Sequence, residues 1–464
     1  MRKNEAMGTT DQLEPSVSSQ SKSLRSRPQW ELIAVFAAYV ALSTRLVILI
    51  SEYAVNVFFM DQWDFNEVTL FQKHSLWEMF RWQNGPHRQG LGAVLSFLID
   101  PLFRWNSRTE SFLVGAIVIL AAGCALWLKR RIFGDFTFFD VCIPLILLTP
   151  LQYETLYITA NLAHGPLPLL LVVLFCLAWT IPNIYLRLGL ALLINFFAIH
   201  TGFGFFLGVI TPVAIFADYW LNLRFLQNGR LLFLISLLVS IVSLGSFFVN
   251  YHYETSVDCS PNLFQSPLGY AQFLWLMYAN TFAAKGTGVF AVSVGVVLFA
   301  LTVAALFVMV ARLRTSAPRE RTAHLVAAIL LAFCLLFSAN AAYGRSCLGI
   351  GVAQASRYVI YMECGLLGLY FFLMELPSSV SRQLVLLLFT AALIGTIPIR
   401  TQDRAVMNFV RSAKANWKRC YMQFEDIRGC NHAVGYGVYP NTDRDLKGKL
   451  DFLKRTRQNL YMLP

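Results

Sequence analysis

The chain has 464 residues, of which 56% are apolar and 14% charged, and its formal net charge is +12. A soluble domain usually carries about 25% charged residues, so a soluble globular fold is excluded for the bulk of the chain. The positive balance does not make it a nucleic-acid binder, because no nucleic-acid module can be read in the sequence and Lys and Arg collect in the cytoplasmic loops of membrane proteins.

In chain order, residues 1–29 form a polar, Ser-rich, basic head, expected to be disordered and cytoplasmic. It is too polar for the apolar stretch of a secretory signal. From 30 to 399 the long apolar runs predict an all-α, polytopic transmembrane helical bundle, since about 20 apolar residues cross the hydrocarbon core and must be helical there. About eleven spans are expected, near 30–51, 110–128, 138–152, 165–181, 186–200, 203–219, 231–250, 288–311, 323–340, 358–375 and 383–399. Two shorter apolar segments, 89–103 and 268–283, read as interfacial or re-entrant helices on the outer face. Residues 400–464 form a separate extracytoplasmic tail, in which Leu446, Leu450, Leu453 and Leu460 suggest an amphipathic helix.

The basic residues give the bundle a direction. With the head inside, the inner loops hold Lys129, Arg130, Arg131, Arg187, Arg224, Arg230, Arg312, Arg314, Arg319, Arg321 and Arg382, while the outer loops near 153–164 and 200–203 hold no Lys or Arg. Residues 52–109, 251–287 and the tail are then outside. Of the nine cysteines, Cys124, Cys142, Cys176, Cys334 and Cys364 lie in apolar runs and read as small core residues. Cys420 and Cys430 stand ten apart in an oxidising compartment, where a disulfide is expected, with Cys259 and Cys347 as competitors.

The first outer loop holds the clearest candidates for chemistry. Asp61 and Asp64 sit among Phe59, Trp63 and Phe65 just past the first span. A carboxylate there can act as general base toward a hydroxyl or hold a divalent cation. His87 and Arg88 suit a phosphate, as do Arg345 and Arg357, the latter beside Tyr358. Gly344, Gly349 and Gly351 would let the backbone approach a ligand. For each arginine the plainer reading is a side chain reaching lipid head groups. Glu154, Tyr153, Tyr157, His164 and His200 would face the same compartment, His200 most simply as a hydrogen-bonded helix end. Arg45, inside the first span, should need an acidic partner or a wet cavity.

The arrangement of residues 30–400 resembles the GT-C membrane glycosyltransferases. Those have a cytoplasmic start, a first span, an outer loop with an acidic motif near that span, and surface helices after it. Asp61-Gln62-Trp63-Asp64 stands where that motif would be. Gly85-Pro86-His87-Arg88-Gln89-Gly90-Leu91-Gly92 is similar to the family's His-Pro-Pro-Leu-Gly stretch, with Arg88 in place of its first proline. The resemblance implies sugar transfer from a polyprenyl-phosphate carrier to a glycan, lipid or protein acceptor on the outer face of a plasma (bacterial inner) membrane. It maps the catalytic acid or metal contact to Asp61, with Asp64 in support. No phosphate-cradling Gly loop of the nucleotide-binding kind occurs. A lipid-glycan or small-solute transporter or flippase, and a surface-polysaccharide polymerase or ligase, are the alternatives.

Overall fold

The structure is a computed structural model that describes residues 29–222, 224, 227–253, 266–440 and 445–462. Helix α1 (Gln29–Tyr53) leads to a loop with two short helices, α2 (Gln62–Asn66) and α3 (Leu76–Phe80). The Ser75 hydroxyl caps α3 by accepting from the Glu78 N–H, and the Glu78 carboxylate accepts from the Ser75 N–H in return. The strands β1 (Gln83–Asn84) and β2 (His87–Arg88) form a hairpin that turns at Gly85, where φ is 55°. Helices α4 (Gly90–Ile99), α5 (Ser107–Phe133), α6 (Cys142–Leu147), α7 (Pro166–Ala178), α8 (Ile184–Ile199), α9 (Phe205–Leu221) and α10 (Gly229–Ser246) follow. Then come α11 (Pro267–Thr281), α12 (Val289–Arg312), α13 (Pro318–Arg345), α14 (Val359–Met374) and α15 (Ser379–Ile394). The tail holds α16 (Thr401–Phe424), α17 (Ile427–Val434) and α18 (Leu446–Thr456). Asn106 and Asn183 cap α5 and α8 through their side-chain oxygens.

Seven stretches among the described residues are long and apolar enough to cross a membrane: Gln29–Tyr53, Ser107–Phe133, Gly202–Leu221, Gly229–Ser246, Val289–Arg312, Glu320–Leu348 and Ser356–Met374. The other four expected spans fall on shorter apolar helices, Phe138–Gln152, Pro166–Ala178, Ile184–Ile199 and Ser379–Ile394. At 1.5 Å per residue α7 is only about 20 Å long. The 138–158 passage makes up its length with 3-10 turns at Phe138–Val141 and Pro150–Gln152 and a π turn at Glu154–Ile158. Both extra apolar segments stay near one end. The α11 residues Tyr270 and Asn280 bond to the carbonyls of Ala339 and Gln354, so α11 dips into the bundle and does not traverse it.

The outer helices are apolar on the outside and polar within. Helix α10 buries Ser236, Ser240 and Ser243 and exposes Leu234, Leu238, Ile241 and Val242. Helix α12 buries Ala291, Gly295, Thr302 and Ala305 and exposes Phe290, Val297, Leu301 and Phe307. Water would reject such faces, whereas lipid tails accept them and helices then meet through small residues. Gly295 shows the need: a Cβ there would stand 1.9 Å from the Trp275 carbonyl oxygen of α11. Helix α14 lies at the centre, with every residue from Val359 to Phe371 buried.

The ends of the bundle differ. At one end, ion pairs clamp helix to helix: Lys129 to Asp140 at 2.6 Å, both side chains fully buried, and Arg187 to Asp218 at 2.9 Å. The Tyr370 hydroxyl also donates to Asp140 at 2.5 Å. At the other end lie the polar loops and the tail. The tail is not a unit apart: Trp417, Tyr421, Tyr439, Leu446, Leu450, Leu453 and Leu460 share one apolar core with Val57, Phe58 and Trp63 of the first loop. Cys420 and Cys430 are bonded to each other, with Cα atoms 5.7 Å apart, and the five cysteines of the apolar runs are free. Cys347 takes no part in that bond, and Cys259 lies outside the described residues. Arg45 has a different partner from the one expected. Its guanidinium donates to the Ile397 carbonyl at 2.6 Å, just past the end of α15, where helix carbonyls lack intrahelical donors.

Breaking a buried pair strands a charge at a cost of roughly 3–5 kcal/mol. Lys129→Met should therefore lower the unfolding temperature of the detergent-purified protein sharply, and Lys129→Met with Asp140→Leu should recover much of the loss.

Candidate functional site

Where the loops of the polar end meet, a cavity of about 480 Å³ opens. Several stretches of chain build it, among them Tyr253 just past α10. The end of the first loop's entry gives Phe59, Met60 and Asp61; the hairpin gives Asn84, Gly85, Pro86, His87 and, just beyond it, Gln89; the 154–164 segment gives Glu154, Thr155, Thr159, Asn161 and His164. Phe203 comes from the start of the α9 stretch, and Asn340, Arg345, Arg357 and Tyr358 come from the far end of α13 and the turns after it. Of the residues singled out in the sequence, Asp61, His87, Arg345, Arg357 and Tyr358 thus converge on one site.

Local geometry explains the aim of each group. Met60 takes a left-handed backbone with φ 49° and its N–H donates to the Val438 carbonyl of the tail at 2.9 Å. This turns the chain so that Asp61 is exposed to the cavity while Gln62 enters the core. Glu154 starts a π turn, and its carboxylate accepts from the Arg357 guanidinium at 3.2 Å and from the Arg357 backbone N–H at 3.3 Å. Those two side chains are 27% and 41% exposed, so the pair is wet and open to a ligand. The Ser356 hydroxyl reinforces the same seam, donating to the Leu151 carbonyl at 2.6 Å and accepting from the Glu154 N–H at 3.1 Å.

The His87 and His164 rings face each other at 6.0 Å, and each packs on the Phe203 ring, at 4.2 and 5.5 Å. Burial, then the neighbouring imidazole and Arg345, push His87 down to about 3. Burial, then Arg357, push His164 down to about 4. Both imidazoles are neutral at pH 7, each with one donor and one acceptor nitrogen. The lasting positive charge of the cavity comes from its arginines.

Two expected site residues lie elsewhere. Arg88, 3% exposed, is bound up in the backbone: its guanidinium donates to the carbonyls of Phe247 at 3.1 Å, Val249 at 2.6 Å and Arg81. It holds the hairpin to the end of α10 and presents no fork to a phosphate. Strand alternation is the reason, since His87 and Arg88 point to opposite sides. The Asp64 carboxylate accepts from the Tyr439 hydroxyl at 2.5 Å and ties the first loop to the tail. It does not line the cavity, and among the described residues no group of three or more His, Cys, Asp or Glu could hold a metal ion. His200 bonds to Ser246 at 3.2 Å at the end of α8, the helix-end role read for it.

No local sequence signal marks the buried network under the cavity wall. Gln62 donates to Glu110 at 3.0 Å and to the Ala160 carbonyl at 2.9 Å, and its own oxygen accepts from the Phe59 N–H at 3.1 Å. Lys414 of α16, 3% exposed, donates to the Ile158 carbonyl at 3.1 Å. Burial pushes its ammonium down to about 7, against the pull of Glu110. Gln62 and Lys414 thus hold both the Asp61 loop and the 158–164 segment. Lys414 lies 304 positions from Glu110, and nothing local marks it.

No family model and no curated protein matches the chain.

Two measurements probe this geometry. The folded His87 and His164 are depressed below 6.5, so the unfolded chain binds more protons on acidification. Stability is expected to fall as the pH drops from 6.5 toward 4, and His87→Gln with His164→Gln should flatten that slope in a pH series of thermal melts. Lys414→Met and Glu110→Gln should each speed amide exchange in 59–62 and 158–164, and the double variant should speed it less than their sum, the mark of a coupled pair.

Proposed function

We propose that the chain is a membrane glycosyltransferase of the GT-C type, which moves a sugar from a polyprenyl-phosphate carrier to an acceptor at the extracytoplasmic face. The observation that carries the reading is the meeting of Asp61 with Arg345, Arg357, His87 and His164 in one cavity at the loop-rich end of a lipid-facing bundle. A carboxylate and two arginines in one wet pocket suit a reaction that deprotonates a hydroxyl and expels a phosphate.

In this scheme Asp61 takes the proton of the acceptor hydroxyl as its oxygen attacks the anomeric carbon. The bond from that carbon to the carrier phosphate oxygen breaks, and the departing phosphate keeps the electron pair. Arg345 and Arg357 hold that phosphate, and Glu154 positions Arg357. The neutral His87 and His164 suit sugar hydroxyls, with which they can both donate and accept. Asp64 acts through the tail, and Arg88 through the hairpin. The cavity end is extracytoplasmic, because the opposite end gathers Lys129, Arg130, Arg131, Arg187, Arg312 and Arg314.

The transporter reading is weaker for a structural reason. At the floor of the cavity Phe203, Phe337 and Tyr361 pack with centroids 4.5–5.0 Å apart, Phe337 stacked on Tyr361 and Phe203 edge-on to both, and α14 is buried from Val359 to Phe371. A carrier needs a path past the midplane.

The test is transfer from a panel of polyprenyl-phosphate sugars by purified protein in liposomes. Asp61→Asn should reduce turnover by about 100-fold or more, as loss of a general base does. Asp64→Asn should spare turnover in the molecules that remain folded. Full activity of correctly inserted Asp61→Asn would overturn the assignment, and solute uptake without any transfer by the unaltered protein would favour the carrier.

A further inference from the structure

We propose that one edge of α16, formed by Arg400, Arg404 and Arg411, is a docking surface for the anionic head groups of the bilayer. Arg404 and Arg411 are spaced by seven, which at 100° per residue places them about 20° apart around the helix, and Arg400 stands at the N-cap four residues before Arg404. Arg404 and Arg411 are exposed and Arg400 is half-buried. The flank of α16 next to this row is buried through Met407, Lys414, Trp417 and Tyr421. None of the three arginines forms an ion pair with a described carboxylate, whereas Asp403 on the same helix turns inward, 3.9 Å from Lys285.

Their depth follows from the elements around them. Helix α15 exposes Leu387, Leu388 and Ile394 to lipid, and Arg400 comes six residues later. Helix α1 exposes Val47 and Ile48, and one turn on Arg108 donates to the Ser51 carbonyl at 2.8 Å. The charges of Arg404 and Arg411 reach Tyr53 at the end of the same helix, beside the exposed Glu52. The arginine row therefore begins where the two lipid-facing surfaces stop. That is the level of lipid phosphates, and cations there gain from an anionic surface within a Debye length. Charge complementarity and continuity with the lipid-facing helices both make the bilayer the occupant. The inference is independent of the transferase reading and holds for either orientation of the bundle.

The test uses the full-length protein in nanodiscs of phosphatidylcholine with and without phosphatidylglycerol. After mild detergent transfer, native mass spectrometry counts the two lipids retained. The unaltered protein should retain phosphatidylglycerol preferentially, and neutralising Arg400, Arg404 and Arg411 to Gln should weaken that preference by roughly fivefold per arginine. A control with Arg428, Arg455 and Arg457 changed to Gln should keep it. Single variants Arg404→Gln and Arg411→Gln give the same reading if the triple variant does not fold. An undiminished preference in the arginine variants, or an equal loss in the control, would overturn the proposal. So would displacement of the lipid by inorganic phosphate at equal concentration, which would make the row a simple anion site.

Discussion

The ion pair between Arg357 and Glu154 joins two chain segments 203 positions apart and sets the shape of everything above it. On one side stands the 150–164 segment, where regular helix gives way to 3-10 and π turns. On the other are the turns between α13 and α14. Backbone of this irregular kind survives at membrane depth only where protein or a wet cavity satisfies its polar groups. Glu154, Ser356 and Lys414 supply much of that satisfaction. The cavity is the space that these irregular segments leave when they meet.

The rest of the bundle obeys the opposite rule. Away from the cavity, helices are regular, serine and small residues face inward, and large apolar residues face out. Ion pairs recur at the far end, where Lys129 and Asp140 clamp α5 to the start of the next passage. The protein is thus dry and regular through its middle, clamped by charge at one end and wet at the other. The proposed transfer from a lipid-linked sugar would use such a wet end, where the lipid chain can stay in the bilayer while its polar head enters the pocket.

The tail makes the wet end rigid. Its apolar core is continuous with that of the first loop, so Trp63 and Trp417 are buried in the same cluster. Asp64 and Tyr439 add a polar tie, and Glu67 with Lys449 a salt bridge of 2.5 Å. Through Lys414 the tail also reaches behind the cavity wall to the Ile158 carbonyl, near the buried Glu110. The segment expected to be a separate tail is therefore part of the support of the site.

The membrane-spanning helical bundle was legible in the sequence, because hydrophobic run length is a local and cumulative signal. The cysteine pair was legible as well, since the two are close in the chain. Part of the site was legible too: Asp61, His87, Arg345, Arg357 and Tyr358 are ionisable or aromatic residues at helix ends, which lipid makes conspicuous. Only the tertiary structure could separate Asp61 from Asp64 and His87 from Arg88, because a turn and a strand send neighbours to opposite sides. Only it could bring Glu154 to Arg357 and Lys414 toward Glu110. Such pairings depend on how distant helices pack, and each partner alone looks like an ordinary polar residue near the membrane surface.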